Sequence, residues 1–369
     1  MRVLVTGADG FIGKNLTVRL SELDGVKVLS FVRGDSLETL EDLVAIADVV
    51  VHLAGENRPE NPDDYEKVNV GLTLSLCSFL ENAKTKIPVI FSSSAQAGSN
   101  NLYGVSKLSA ELALTNSSNS VGNSLSIYQL PGVFGKWCRP NYNSVVATFC
   151  HNIANGLPVN VRDSAIQLEL VYIDDVVSAM IDCIFHEHET GVNFKVVAQQ
   201  YQISLGNLKS KIEAFRNSRT SLVTENVGTG FTRALYSTYV SYLSKEQFSY
   251  SIPSHGDERG VFVEMLKTLD SGQFSFFTAH PGITRGGHYH HSKTEKFLVI
   301  KGVANFSFRH ILTDAAHTLV TSSENPTVVE TVPGWAHDIT NIGDEDLIVM
   351  LWANEIFNIT QPDTITYEI

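Results

Sequence analysis

The run Met1-Arg2-Val3-Leu4-Val5-Thr6-Gly7-Ala8-Asp9-Gly10-Phe11-Ile12-Gly13 decides how the first two thirds of the chain is read. Apolar residues at 3–5 predict a buried strand. The glycines at 7, 10 and 13 predict a tight turn that opens directly into a helix. Each glycine has its own physical use. Gly7 permits the turn, Gly10 lets the backbone approach a pyrophosphate at the helix N-terminus, and Gly13 lets the helix lie close to the strand. Phe11 and Ile12 belong to the same cofactor-binding turn. The strand–turn–helix context, rather than the glycines alone, gives the pattern its weight.

Outward from this run, to about residue 245, apolar stretches alternate with helical patterns. Strands are predicted at 3–5, 26–32, 49–53, 89–92 and 125–130, and helices at 66–82 and 103–114. Continuous apolar strands separated by helices predict an α/β unit, a Rossmann-type doubly wound parallel sheet covered on both faces. Past residue 250 the period changes. Short alternating strands at 260–266, 274–278, 296–300, 304–308, 327–332 and 346–352 predict an all-β barrel or jelly roll. The change of period over 238–253 gives two domains, 1–245 and 250–369.

The bulk properties agree. A chain of 369 residues is too long for one ordinary core. The net charge of −13 argues against a nucleic-acid surface, which needs clustered Lys and Arg. No apolar run approaches the ~20 residues that span a bilayer, and residues 1–10 lack the layout of a signal peptide. Cys77, Cys138, Cys150 and Cys183 show no metal or redox spacing, so reduced thiols and a cytoplasmic location are expected.

Three further features lie in the first domain. The second strand ends at Arg33, where an acidic residue would bind a ribose 2′-hydroxyl; an Arg there fits a 2′-phosphate and favours NADPH. Tyr103 and Lys107 stand four apart, on one face of a helix. A nearby ammonium and a nicotinamide cation would lower the phenol's pKa, so that Tyr103 can exchange a proton with a carbonyl or alcohol oxygen. The strand before this helix ends Phe91-Ser92-Ser93-Ser94.

The runs Thr6–Gly13, His52-Leu53-Ala54-Gly55, Phe91–Ala95 and Tyr103–Lys107 together resemble an extended short-chain dehydrogenase/reductase of the nucleotide-sugar-modifying kind. The resemblance implies Tyr103 as acid/base, Lys107 as its partner on the nicotinamide ribose, and Ser94 as third member. It also places Leu53 and Ala54 in the cofactor site. Two departures stand out. Only eight residues separate Ser94 from Tyr103, which questions the role of Ser94. Ala95-Gln96 stands where dehydratases of the family carry Asp-Glu, so dehydration is disfavoured. In relatives, the segment holding Arg139 and Asn143 closes on the substrate's diphosphate, and an Arg fork suits phosphate.

In the second domain, His288, His290, Glu295 and His337 can enclose one divalent metal. Imidazole and carboxylate ligands suit Zn, Mn, Fe or Ni, with zinc the first candidate. The spacing Gly282-x5-His288-x-His290-x4-Glu295-x6-Gly302 and the later Pro333-Gly334-x2-His337-x3-Asn341 resemble the two cupin motifs. Residues 257–264, 285–289 and 333–337 also resemble the cupin-type 3,5-epimerases of dTDP-4-keto-6-deoxy sugars. That likeness implies His288 as the base that removes a proton beside a ketone, Lys296 at the enolate oxygen, and Arg285 on the sugar or its phosphate. One nitrogen of His288 cannot be ligand and base at once, so the two readings conflict there.

The order reductase then cupin resembles the bifunctional capsular polysaccharide enzymes. It implies a UDP-linked 4-keto-6-deoxy amino sugar as substrate, UDP-2-acetamido-2,6-dideoxy-4-hexulose. The cupin would invert C3 and the reductase would convert the C4 ketone, giving a UDP-N-acetyl-6-deoxy-talosamine-type sugar. A homodimer is expected by analogy with both folds. The rival reading is a plain 4-keto-sugar reductase carrying a non-catalytic, metal-stapled dimerisation module.

Overall fold

In the computed structural model, which describes residues 1–186 and 190–369, Arg2–Thr6 form β1, and Val3 to Thr6 are completely buried. Burial on both faces is what a continuous apolar strand requires. The strands that follow are β2 (Lys27–Phe31), β3 (Val49–His52), β4 (Val89–Ser94), β5 (Leu125–Leu130), β6 (Gly132–Phe134), β7 (Gln167–Tyr172), β8 (Val192–Lys195) and β9 (Tyr201–Ser204). Among the described residues, six of them form one parallel sheet in the order β2-β1-β3-β4-β5-β8. Strands β6, β7 and β9 form a smaller sheet.

The helices are α1 (Phe11–Ser21), α2 (Leu37–Ile46), α3 (Leu72–Glu81), α4 (Leu102–Val121), α5 (Val145–Ala154), α6 (Ile173–Phe185), α7 (Leu205–Ser221) and α8 (Gly230–Val240). One face of the large sheet packs on α1 and α6 through Leu16, Leu20, Val176 and Met180. The other packs on α2, α3 and α4 through Leu40, Val44, Leu76, Leu80 and Leu114. The chain goes outward from β1 to β2, then returns to place β3 on the other side of β1. That reversal opens a crevice beyond the carboxyl ends of β1 and β3, where ligands of such sheets bind.

The predicted strands of this region match to within two residues at each end. The helix predicted for 66–82 differs, because it begins as a wide π-helical segment, Tyr65–Gly71, before α3. Such segments often mark functional positions, and this one carries the buried Asn69.

The chain divides into two compact units, residues 1–212 with 233–243, and residues 213–232 with 244–369. In the second unit a short β10 (Val223–Thr224) pairs with β12. The remaining strands are β11 (His255–Asp257), β12 (Gly260–Thr268), β13 (Gly272–Ala279), β14 (Thr284–Tyr289), β15 (Glu295–Lys301), β16 (Val303–His310), β17 (Ala316–Ser322), β18 (Val328–Glu330), β19 (Trp335–Asn341), β20 (Leu347–Ala353) and β21 (Ile365–Thr366). One sheet runs β10-β12-β13-β20-β15-β18, with β11 on β12; the other runs β17-β16-β19-β14-β21. Apart from the β10 pairing, every ladder of this unit is antiparallel. Inward residues alternate along the strands, and Phe277, Phe297, Phe306, Ile339, Val349 and Leu351 form the core between the sheets. Among the described residues no helix is long and apolar enough to cross a membrane.

Candidate active site and metal centre

The glycine turn after β1 is closed to side chains at two of its three glycines. Gly7 has φ +69°, and a Cβ there would lie 2.8 Å from the Ala54 backbone. A Cβ at Gly13 would lie 2.1 Å from the carbonyl oxygen of Gly7. Helix α1 has no side-chain cap, so its first amides are available to an anion. Phe11 and Ile12 pack against the core beneath, as does Leu53. The amides of Leu53 and Ala54 each donate to Thr6 Oγ1 at 3.2 Å, which ties the end of β3 to the end of β1. Arg33 follows β2 with its side chain 78 % exposed, paired to Glu56.

A buried polar chain runs from this turn, and sequence reasoning missed it. Thr6 Oγ1 lies 2.7 Å from Nδ1 of His52, and Nε2 of His52 lies 3.0 Å from Thr73 Oγ1. The hydroxyl of Thr73 donates to Asn69 O at 2.7 Å. Nδ2 of Asn69 donates to Ser106 Oγ at 2.9 Å, and Ser106 donates to Tyr103 O at 2.8 Å. Burial, reinforced by the charge of Lys107, lowers the pKa of His52 to about 3. A neutral imidazole can donate on one side and accept on the other, which this chain requires.

The short connection between Ser94 and Tyr103 does not separate them. Ala95 N binds Leu130 O, Ala97 N binds Ser94 O, and Gly98 N binds Gly104 O, so the loop folds tightly against the start of α4. A Cβ at Gly104 would lie 2.4 Å from Gln96 O, which explains the glycine after Tyr103. Asn101 caps α4 by accepting from Gly104 N at 2.8 Å. Tyr103 therefore stands in the first turn. Burial raises the pKa of its phenol; a hydrogen bond with Ser94 opposes this, and nearby Tyr65 adds to it.

Lys107 is buried one turn below. Its ammonium donates to Ser92 O at 2.6 Å and lies 4.5 Å from the centre of the Phe91 ring. Burial lowers its pKa to about 8, against the charge of Glu111. Glu111 is itself buried, accepting from Ser93 and, at 3.0 Å, from Gln129 Nε2. Its helical spacing, four residues past Lys107, was the available sequence signal. Arg139 and Asn143 lie on an exposed loop before α5, where the Arg139 guanidinium stacks 5.2 Å from the Tyr142 ring centre.

In the second unit the four candidate ligands come together. Ligand atoms of His288, His290, Glu295 and His337 all lie within 4.8 Å of one another. Strand pairing sets His288 opposite His337, with ring centres 4.7 Å apart. A bulge between Gly286 and His288, with Gly286 at φ +103° and Gly287 at φ +71°, turns His288 toward the cluster. Glu295 Oε2 lies 3.2 Å from His290 Nε2 and 3.5 Å from His337 Nε2. Two ligands on a tetrahedral ion at ~2.1 Å would be roughly 3.4 Å apart.

The donor chemistry fits a cation. Nδ1 of His290 donates to the main-chain oxygen of Asp363, so its Nε2 offers a lone pair toward the Glu295 carboxylate. Two such acceptors facing each other suit a positive centre between them. Burial, then the neighbouring His337 and His290, lower the pKa of His288 to about 4, so its imidazole is neutral at pH 7, as a candidate ligand must be. Burial pushes the Glu295 carboxyl upward, but the neighbouring His290 and His337 rings and the charge of Lys293 outweigh it and hold it far below the usual range.

Lys293, unnoticed in the sequence, is buried here with Nζ 2.8 Å from Glu295 Oε1. Lys296 lies elsewhere: its half-exposed ammonium pairs with Glu330. Arg285 is outside the cluster, its Nε donating to Thr278 O at 2.9 Å and its guanidinium 5.4 Å from the Phe277 ring centre.

Residues 3–197 match the NAD dependent epimerase/dehydratase family, and residues 255–365 match the polysaccharide biosynthesis C-terminal domain. The chain is 54 % identical to the UDP-2-acetamido-2,6-beta-L-arabino-hexul-4-ose reductase of Pseudomonas aeruginosa, covering 99 % of this chain and 98 % of that one. It superposes on the capsular polysaccharide assembling protein CapF of Staphylococcus aureus with a TM-score of 0.92 and 39 % identity, over the full length of both. A UDP-glucuronic acid 4-epimerase from Bacillus cereus shares the fold of the first part, with a TM-score of 0.53, 20 % identity, and coverage of 59 % of this chain and 84 % of that one. The chain therefore belongs to the family of CapF, in which an NAD dependent epimerase/dehydratase region is followed by a polysaccharide biosynthesis C-terminal domain.

Proposed function

We propose that the chain is a bifunctional enzyme of nucleotide-sugar metabolism serving capsular polysaccharide synthesis. Residues 250–369, a cupin domain, epimerise C3 of a UDP-2-acetamido-2,6-dideoxy-4-hexulose. Residues 1–245 then reduce its C4 ketone with NADPH to a UDP-N-acetyl-6-deoxy-talosamine-type sugar. The observation that carries the reductase reading is a half-buried Tyr103 hydrogen-bonded to Ser94, one turn above the buried Lys107. The substrate class is inferred from the 54 % identical reductase.

Gly7, Gly10 and Gly13 would receive the pyrophosphate of the nicotinamide cofactor at the start of α1, with Leu53 and Ala54 beside it. Arg33 would exchange Glu56 for the 2′-phosphate. The bound cofactor supplies a hydride to C4. Tyr103 gives its phenolic proton to the C4 oxygen as that oxygen becomes an alcohol. Ser94 orients the phenol and Lys107 supplies positive charge below it. Arg139 and Asn143 are assigned to the substrate's diphosphate.

The C4 ketone also acidifies the hydrogen on C3, which is why epimerisation comes before reduction. His288, His290, Glu295 and His337 would hold one divalent metal, zinc first, and a bound ion polarises a carbonyl oxygen. His288 is assigned as a ligand rather than as the base, because its ring nitrogen lies within the ligand cluster. Arg285 is assigned to the sugar phosphate, and a homodimer is the expected assembly.

The test is turnover of the UDP-linked 4-keto sugar with NADPH in deuterated water. The reading requires an inverted C3 bearing deuterium next to a newly reduced C4. A reduced product with C3 unlabelled and its configuration retained would leave only a reductase.

A further inference from the structure

We infer that Asp363 is a positioning residue for the metal centre, a clasp that fixes two ligands from a distant segment; the inference rests on reading the four-residue cluster as a metal site. The carboxylate of Asp363 accepts from three consecutive backbone amides, His291 at 2.9 Å, Ser292 at 2.7 Å and Lys293 at 2.8 Å. The hydroxyl of Ser292 donates to it at 3.0 Å. The main-chain oxygen of the same residue accepts from Nδ1 of His290. One residue thus holds the whole turn that leads from His290 to Glu295.

The consequences reach both ligands. Accepting at Nδ1 leaves Nε2 of His290 as the free donor atom and sets its ring plane, the usual task of an outer partner of a metal-bound imidazole. Anchoring the Lys293 amide sets the place of its side chain, whose Nζ holds Oε1 of Glu295 at 2.8 Å and leaves Oε2 for the histidines. The segment after Asp363 continues the attachment. In β21, Ile365 and Thr366 pair with Tyr289 and His288, and Tyr367 N donates to Gly287 O at 2.9 Å. The ligand-bearing segment from 287 to 293 is therefore backed along its length by residues 363–367.

The test uses the full chain, with zinc affinity measured by competition against a chromogenic chelator and coordination read from the visible spectrum after cobalt substitution. Asp363→Ala should weaken zinc binding by about 10–100-fold and alter the cobalt bands. Asp363→Asn keeps an acceptor oxygen and should recover part of the affinity. Asp314→Ala, which removes an exposed partner of Arg309, serves as the control and should change neither. Zinc affinity within about twofold of wild type and superimposable cobalt spectra in Asp363→Ala would overturn the inference while leaving the metal centre standing. If Asp363→Ala does not fold, the same two readings on Asp363→Asn decide. A wild-type chain that binds neither zinc nor cobalt overturns the metal reading and the clasp together.

Discussion

Nζ of Lys293 lies 2.8 Å from Oε1 of Glu295, with both side chains buried. A buried carboxylate that shares its pocket with histidines needs such a cation to remain ionised. Lys293→Met should therefore lower metal affinity by about tenfold, measured by calorimetric titration of zinc into the metal-depleted chain. Lys296→Ala removes only an exposed pair with Glu330 and should alter stability by no more than about 0.5 kcal/mol. Equal affinities in wild type and Lys293→Met would sink this account of Lys293.

Ser94→Ala tests the contact with Tyr103. Reduction needs a protonated phenol, so the rate falls as pH rises through the phenol's pKa in the enzyme. The Ser94 hydrogen bond holds that pKa down against burial. Removing it should move the alkaline fall to higher pH and lower kcat by about 10–100-fold. A profile that keeps its alkaline limb in place contradicts the assignment.

Lys107 carries a stability cost. Its folded pKa of about 8 lies below the ordinary 10.5, so between those values the unfolded chain binds more protons. Its contribution to stability rises with pH across that window, and the full penalty applies below pH 8. Lys107→Met should abolish NADPH oxidation without lowering the unfolding midpoint at pH 7. A clear drop in that midpoint would mean that the contacts with Ser92 and Phe91 outweigh the burial cost.

His52 sets an acid limit. Its folded pKa of about 3 lies below the ordinary 6.5, so its contribution is full above pH 6.5 and declines as pH falls toward 3. His52→Gln should flatten the dependence of stability on pH in that window by about one proton, followed by denaturant unfolding at several pH values. An unchanged slope would show that His52 is not held neutral.

Much of this was legible in the sequence, and what was not has definite causes. The glycine turn, Tyr103 and Lys107 depend on local spacing, and the His288, His290, Glu295 and His337 cluster on a fixed interval of candidate ligands. Lys293 carries no such signal. Its backbone amide is held by Asp363, 70 residues further on, through a contact no local pattern encodes. The side of Lys296 could have been read. Neighbours on a strand face opposite ways, so a Glu295 that points inward sends Lys296 outward. His52 and Thr6 read as ordinary strand ends because their partners, Thr73 and the amides of Leu53 and Ala54, meet them only once the parallel sheet forms. The strands 284–289 and 335–341, which carry His288 and His337, show in the sequence only through the spacing of their candidate ligands, because glycines and histidines break the alternating apolar pattern.

The central claim, two separate chemistries on one chain, is tested most directly by Tyr103→Phe incubated with the UDP-linked 4-keto sugar in deuterated water. Removal of the phenolic hydroxyl should abolish NADPH oxidation, while deuterium still enters C3 at the wild-type rate. Loss of both activities together would contradict the account.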